Sequence, residues 1–145
     1  MKIYVASAWS DFRVARAAQN MLRAMGHTIS HDWTEGADEY TSCEDASDEV
    51  CQQAAWDDEE GVLTAHAFLL CAPATGGSGC WTELGLARSI ARATHAVYPI
   101  VVCGPGRDRN IFARLGHRLE SVEEAVAWLH ARSEWLALYR KDAGL

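Results

Sequence analysis

Ala67-Phe-Leu-Leu-Cys71, followed by Ala72-Pro-Ala-Thr75-Gly-Gly-Ser-Gly-Cys80-Trp-Thr-Glu83-Leu-Gly85, reads as an apolar strand, a glycine-rich turn and the opening of a helix. Short apolar or β-branched runs like this one alternate with helix-period segments along the chain, the pattern of a parallel sheet with helices on its faces. The turn gathers flexible backbone, amide donors and one acid, Glu83, where an open α/β sheet keeps its ligand.

Outward from that stretch, strands are expected at Ile3–Ala6, Thr28–Ser30, Ala67–Cys71, Val97–Cys103 and His117–Leu119. Helices are expected at Asp11–Met25, Asp48–Thr64, Cys80–Ala93, Asn110–Leu115 and Val122–Arg140. Gly26 sits where a left-handed helix cap belongs, and Ser121 with Glu124 makes a capping box before the last helix. Thr34–Ser47 is the one long connection; it carries five acids and no base, so a solvated loop or lid is expected there. The whole predicts a single α/β domain, a flavodoxin-like or Rossmann-like three-layer sandwich around a five-stranded parallel sheet.

With 145 residues and 49% hydrophobic content, the chain is large enough for a core without staples. A formal net charge of −7 argues against a nucleic-acid polymer as partner, because gripping phosphates along a strand needs a basic face. A small anion remains open, since a few local donors hold one phosphate. Five cysteines, an odd number without a CxxC pair, fit a reduced protein, and no run reaches the roughly 20 apolar residues of a membrane span. A cytoplasmic protein is expected, with no membrane partner.

The residues just after each strand are those that face a ligand in this architecture. They are Ser7, Ala8 and Trp9, then Asp32 and Trp33, then Pro73–Glu83, then Gly104–Asn110. Placed in the first turn of its helix, Glu83 would be kept ionised by the positive end of the macrodipole, as a nucleophile requires. Asp58, six residues before the end of its helix, stands ~9 Å above that end and leans toward the same rim. Two carboxylates ~5 Å apart are the geometry of retaining glycosyl transfer, one as nucleophile and one as acid/base.

Gly77 and Gly79 bring backbone amides near an anion, and Ser78 adds a hydroxyl. Trp9, Trp33 and Trp81 offer flat faces for a nucleobase, and Arg13, Arg107 and Arg109 are placed to reach a phosphate. No metal is expected: His27 and His31 flank a strand ~13 Å apart. Cys80 has no histidine placed to activate it as a nucleophile. No cofactor is called for.

These residues resemble the nucleoside 2-deoxyribosyltransferase superfamily, including its nucleotide N-glycosidase relatives. The points of similarity are Lys2–Ser7, Gly26-His-Thr-Ile with Asp32-Trp33, Asp58 nine residues before Ala67, and Asn110-Ile-Phe before Ser121-Val-Glu-Glu-Ala. Ser78-Gly-Cys-Trp-Thr-Glu83-Leu-Gly85 is similar to the family's Ser-Gly-x-x-x-Glu-x-Gly.

The resemblance implies that Glu83 attacks the anomeric carbon while Asp58 serves the leaving base. Ser7, Trp9, Arg13, Asp32, Trp33, Gly77, Ser78, Gly79, Trp81 and Asn110 would then bind a nucleoside or its 5′-monophosphate. A homodimer is expected on the same analogy. The transferases commonly carry an acid six residues before the nucleophile, where this chain has Gly77, which leaves transfer to a base and transfer to water both open. An NAD-cleaving relative and a non-catalytic nucleotide-binding module are the competing readings.

Overall fold

The computed structural model describes residues 1–37, 46–94 and 97–142. Strands β1 (Lys2–Ser7), β2 (Thr28–Ile29), β3 (Ala67–Cys71), β4 (Ile100–Cys103) and β5 (His117–Arg118) form one sheet in the order β2-β1-β3-β4-β5, every pair parallel. Helices α1 (Phe12–Ala24), α2 (Asp48–Thr64), α3 (Ser78–Thr94) and α4 (Val122–Asp142) cover it, with single 3₁₀ turns at Trp9–Asp11 and Ala113–Leu115. This is the flavodoxin-like strand order, which reverses direction between β1 and β3 and opens a crevice beyond their carboxyl ends.

Successive side chains of a strand point to opposite faces, and β1 uses both. Ile3 and Val5 pack with Ala15, Ala18 and Leu22 of α1 and with Ala125, Val126 and Leu129 of α4. Tyr4 and Ala6 pack on the other side with Val62 of α2 and with Leu84 and Ala87 of α3. Three layers result. Ser121 caps α4 as expected, its hydroxyl accepting the Glu124 amide at 3.2 Å.

Several boundaries differ from expectation, each for a local reason. β4 begins at Ile100 rather than Val97 because Pro99 has no N–H to give a ladder; its carbonyl alone is used, by the Phe68 amide at 2.9 Å. The helix expected over Asn110–Leu115 shrinks to one turn, since the Asn110 side chain takes the Phe112 amide at 2.8 Å and offers the backbone an alternative to a helix. α3 begins at Ser78, two residues before Cys80.

Residues 38–45 of the acidic connection lie outside the described residues, as do Cys43 and the tail beyond residue 142. The connection's beginning is only partly solvated: Thr34 and Ala37 are buried, Glu35 and Gly36 between them are exposed, and Thr34 is tied to Asp32 and Arg16. Cys51, Cys71, Cys80 and Cys103 are free thiols. Among the described residues no helix is long and apolar enough to cross a membrane.

Candidate active site

Tyr4 occupies the middle of β1, fully buried, where a sheet facing two helices would ordinarily put Val or Leu. Its cross-strand partner is Phe68, and the two rings stack at 5.9 Å with 10° between planes, which fixes the direction of the phenol. The hydroxyl meets Asp58 Oδ1 at 2.6 Å and Glu83 Oε1 at 3.0 Å. The two carboxyl oxygens are therefore no further apart than the sum of those lengths, an upper limit close to the ~5–5.5 Å of retaining carboxylate pairs.

Gly61 makes that approach possible. A Cβ there would sit 2.7 Å from the His31 Cβ and 2.9 Å from Tyr4 Cε2, so only glycine lets α2 come down onto the ring. Asp58 lies three residues earlier, on the same face, directly above the phenol. On α3, Leu84 and Ala87 anchor the helix in the core and carry Glu83 with it.

One phenol has one proton and cannot donate to both acids. The shorter contact is the donation to Asp58; Glu83 then holds a proton and donates it to the phenol oxygen. Electrostatics agree. Burial, with the Asp58 charge adding to it, pushes the Glu83 carboxyl up to about 8. Burial also raises Asp58, against the Tyr4 hydrogen bond and the nearby His31 ring, whose Nε2 is 3.7 Å from Oδ1. The phenol itself is raised by burial and by both carboxyls, so it stays neutral. The helix dipole does not keep Glu83 ionised: with α3 starting at Ser78, Glu83 lies in the second turn, beyond the unpaired amides, and desolvation wins.

Around the pair opens a cleft of about 840 Å³, the size of a small-molecule site. Ser7, Trp9, Asp32, Trp33, Asp58, Gly77, Ser78, Gly79 and Glu83 all line it. Trp9 and Trp33 meet at 6.1 Å with 33° between planes and form one wall, Trp33 being fixed by its indole N–H on the Val5 carbonyl at 2.7 Å. The Ser7 hydroxyl donates to the Cys71 carbonyl at 3.0 Å, and Asp32 is paired with Arg23 at 2.6 Å. Gly77 has φ +78, and a Cβ there would lie 2.8 Å from Pro73 Cγ and 2.9 Å from the Cys80 sulfur, which excludes a side chain at this position.

Arg13, Trp81 and Asn110 are not in the lining. The Arg13 guanidinium lies 5.2 Å from the Phe12 ring, the Trp81 indole donates to the Gly76 carbonyl at 3.2 Å, and Asn110 is spent on its own turn. Arg107 is held by Glu120 through two contacts of 2.6 Å, and Arg109 bonds the Ala74 carbonyl. Cys80 is no thiolate: burial and the neighbouring Glu83 push it up to about 12.

Tyr4 and His31 were not singled out from sequence as partners of the acids. A tyrosine inside an apolar strand reads as core, and His31 was weighed only as a metal ligand. Among the described residues no three His, Cys, Asp or Glu side chains are grouped to hold a metal ion. No protein-family model matches this chain, and no curated protein matches it in sequence.

Proposed function

We propose that this protein cleaves the N-glycosidic bond of a nucleoside or its 5′-monophosphate through a covalent glycosyl ester on Glu83, as the resemblance to the nucleoside 2-deoxyribosyltransferase superfamily implies. The observation that carries this reading is the single phenol held between two carboxyls at 2.6 and 3.0 Å inside a cleft of ligand size. A pair that shares one proton supplies both roles of a double displacement.

The resting pair has the proton on the wrong partner, and Tyr4 corrects this. Glu83 gives its proton to the phenol oxygen as the phenol gives its own to Asp58, leaving Glu83 ionised and Asp58 protonated with no exchange with solvent. Glu83 then forms a bond to the anomeric carbon while the C–N bond breaks and Asp58 protonates the departing base. A second base or a water attacks the ester next, and Asp58 takes the attacking group's proton. The crowded backbone at Gly77, which has no room for a further acid, favours water over base as the acceptor.

The test is incubation with nucleosides and 5′-monophosphates, with and without an acceptor base, followed by chromatography. Free base without exchange identifies the hydrolase, and exchanged nucleoside the transferase. Glu83→Gln is expected to lower turnover by ~10³-fold or more, as loss of a nucleophile does; unchanged turnover in that variant would sink the mechanism. A cytoplasmic homodimer fits this reading, and gel filtration with light scattering tests the subunit count.

A further inference from the structure

The reaction leaves open which bases enter, and the charges of the cleft bear on that choice. Residues 34–65 contain eleven of the chain's 20 acids and none of its 13 lysines and arginines. Of its described residues, Glu35, Gly36, Val50, Gln53, Ala54, Asp57 and Asp58 line the cleft. Among the described residues the lining holds five acids, one histidine and no lysine or arginine. Asp32 is neutralised by Arg23, and the Tyr4-linked pair keeps one proton. Glu35, Asp57 and one charge of the pair then face the bound molecule.

The same cleft is lined by the two tryptophan rings, whose faces are electron-rich. Among the described lining residues, the amides at the start of α3 and the Ser78 hydroxyl favour an anion, and a helix end is worth about half a charge. Roughly three negative charges outweigh it in a cleft where field lines focus. A flat ring that is itself positive satisfies the tryptophans and the acids at once, by stacking on the former and by proximity to the latter.

We propose that the cleft selects nucleosides without a 5′-phosphate whose base carries a fixed positive charge, such as an N7-alkylated purine or a pyridinium ring. This rests on the N-glycosidic reading above. The chemistry suits such a base. As Glu83 forms its C–O bond and the C–N bond breaks, the electron pair returns to the ring nitrogen and cancels its charge, so the base departs neutral without a proton from Asp58. Asp58, still protonated, releases its proton to solvent; water then attacks the anomeric carbon, the C–O bond to Glu83 breaks, and the water's proton passes to the Asp58 carboxylate.

The experiment uses pairs of similar shape and different charge: 7-methylguanosine against guanosine, and nicotinamide riboside against its uncharged dihydro form, each also as the 5′-monophosphate. Release of free base by wild type, corrected for spontaneous cleavage, gives turnover. Calorimetry on Glu83→Gln, which imitates the protonated acid, gives binding. The cationic member is expected to bind ~10-fold or more tightly than its neutral partner, and a 5′-phosphate to weaken binding by a similar factor.

Trp9→Leu and Asp57→Asn should each cut the preference for the cation by roughly 3–10-fold, and raised salt should narrow it. Equal or better binding and cleavage of the neutral or phosphorylated member overturns the charge preference and leaves the reaction standing. Preferred binding of the cation without base release does the opposite. Neither binding nor cleavage of any member overturns both. A preference confined to one of the two cationic rings identifies which class the cleft takes.

Discussion

The two faces of the sheet are built from alternate residues of one strand and do different work. On the α1/α4 face, Ile3 and Val5 pack into an apolar cluster, and α1 alone buries Ala15, Ala18, Gln19 and Leu22. On the α2/α3 face, Tyr4 replaces an aliphatic residue and its hydroxyl draws two acids inward. α2, with 17 residues, buries only Gly61 and Val62, so the helix that carries Asp58 is held near one end. One face is a seal, and the other gives up apolar packing to hold a protonated carboxyl pair.

That contrast predicts separable effects. Leu22→Ala on the sealed face is expected to be the largest in stability, ~2–5 kcal/mol by denaturant unfolding. It should leave the titration of Glu83, followed by carboxyl NMR, where it was; a moved titration would mean that the faces are coupled.

Gly61→Ala comes next. Crowding against Tyr4 and His31 costs about 1–3 kcal/mol, partly offset by the better helix propensity of alanine, which is worth at most ~1 kcal/mol. Because α2 must lift, Asp58 retreats from Glu83 and the Glu83 titration should fall toward ordinary carboxyl values. An unchanged titration with lowered stability would show that α2 does not set the pair.

Tyr4→Phe keeps the ring and its stack and removes only the shared hydrogen bonds, at about 1–2 kcal/mol. The bond that the phenol donates to Asp58 favours the ionised form of that acid, so the Asp58 titration should move upward. A downward shift would refute the bridging geometry.

The smallest effect is the pH dependence of stability. Glu83 ordinarily titrates at 4.5 and in the fold at about 8. Below the lower value both folded and unfolded chains carry the proton and nothing is lost. Between the two the folded chain keeps a proton the unfolded chain has released, so stability falls as pH rises; above about 8 the penalty is complete. Glu83→Gln should remove this slope and be more stable than wild type at pH 9 by on the order of 1–2 kcal/mol, a modest figure because the side chain is only partly shielded from water. Parallel pH profiles of wild type and variant would refute the raised titration.

What could be read from sequence follows the same division. The strand runs and the rim after each strand depend on hydrophobic period and topology, and they led to Glu83 and the tryptophans; Asp58 came from helix rise together with the family resemblance. Tyr4 stayed hidden because a side chain in mid-strand shows its burial in the sequence and not its partner. Arg13, Trp81 and Asn110 were reached by position alone; standing after a strand does not decide which way a side chain turns. The start of α3 was placed too late because Ser78 and Gly79 look like loop, and the ionised state assigned to Glu83 followed from that error.

The phenol joins residues 54 and 79 positions away along the chain. Contacts so distant in sequence close late, after the loops between them have given up their freedom. In a chain emerging from the ribosome Tyr4 precedes both acids, and the carboxyl pair exists only once Glu83 has followed. At neutral pH its closure draws one proton out of the surrounding buffer, so folding is itself an acid–base reaction at this site.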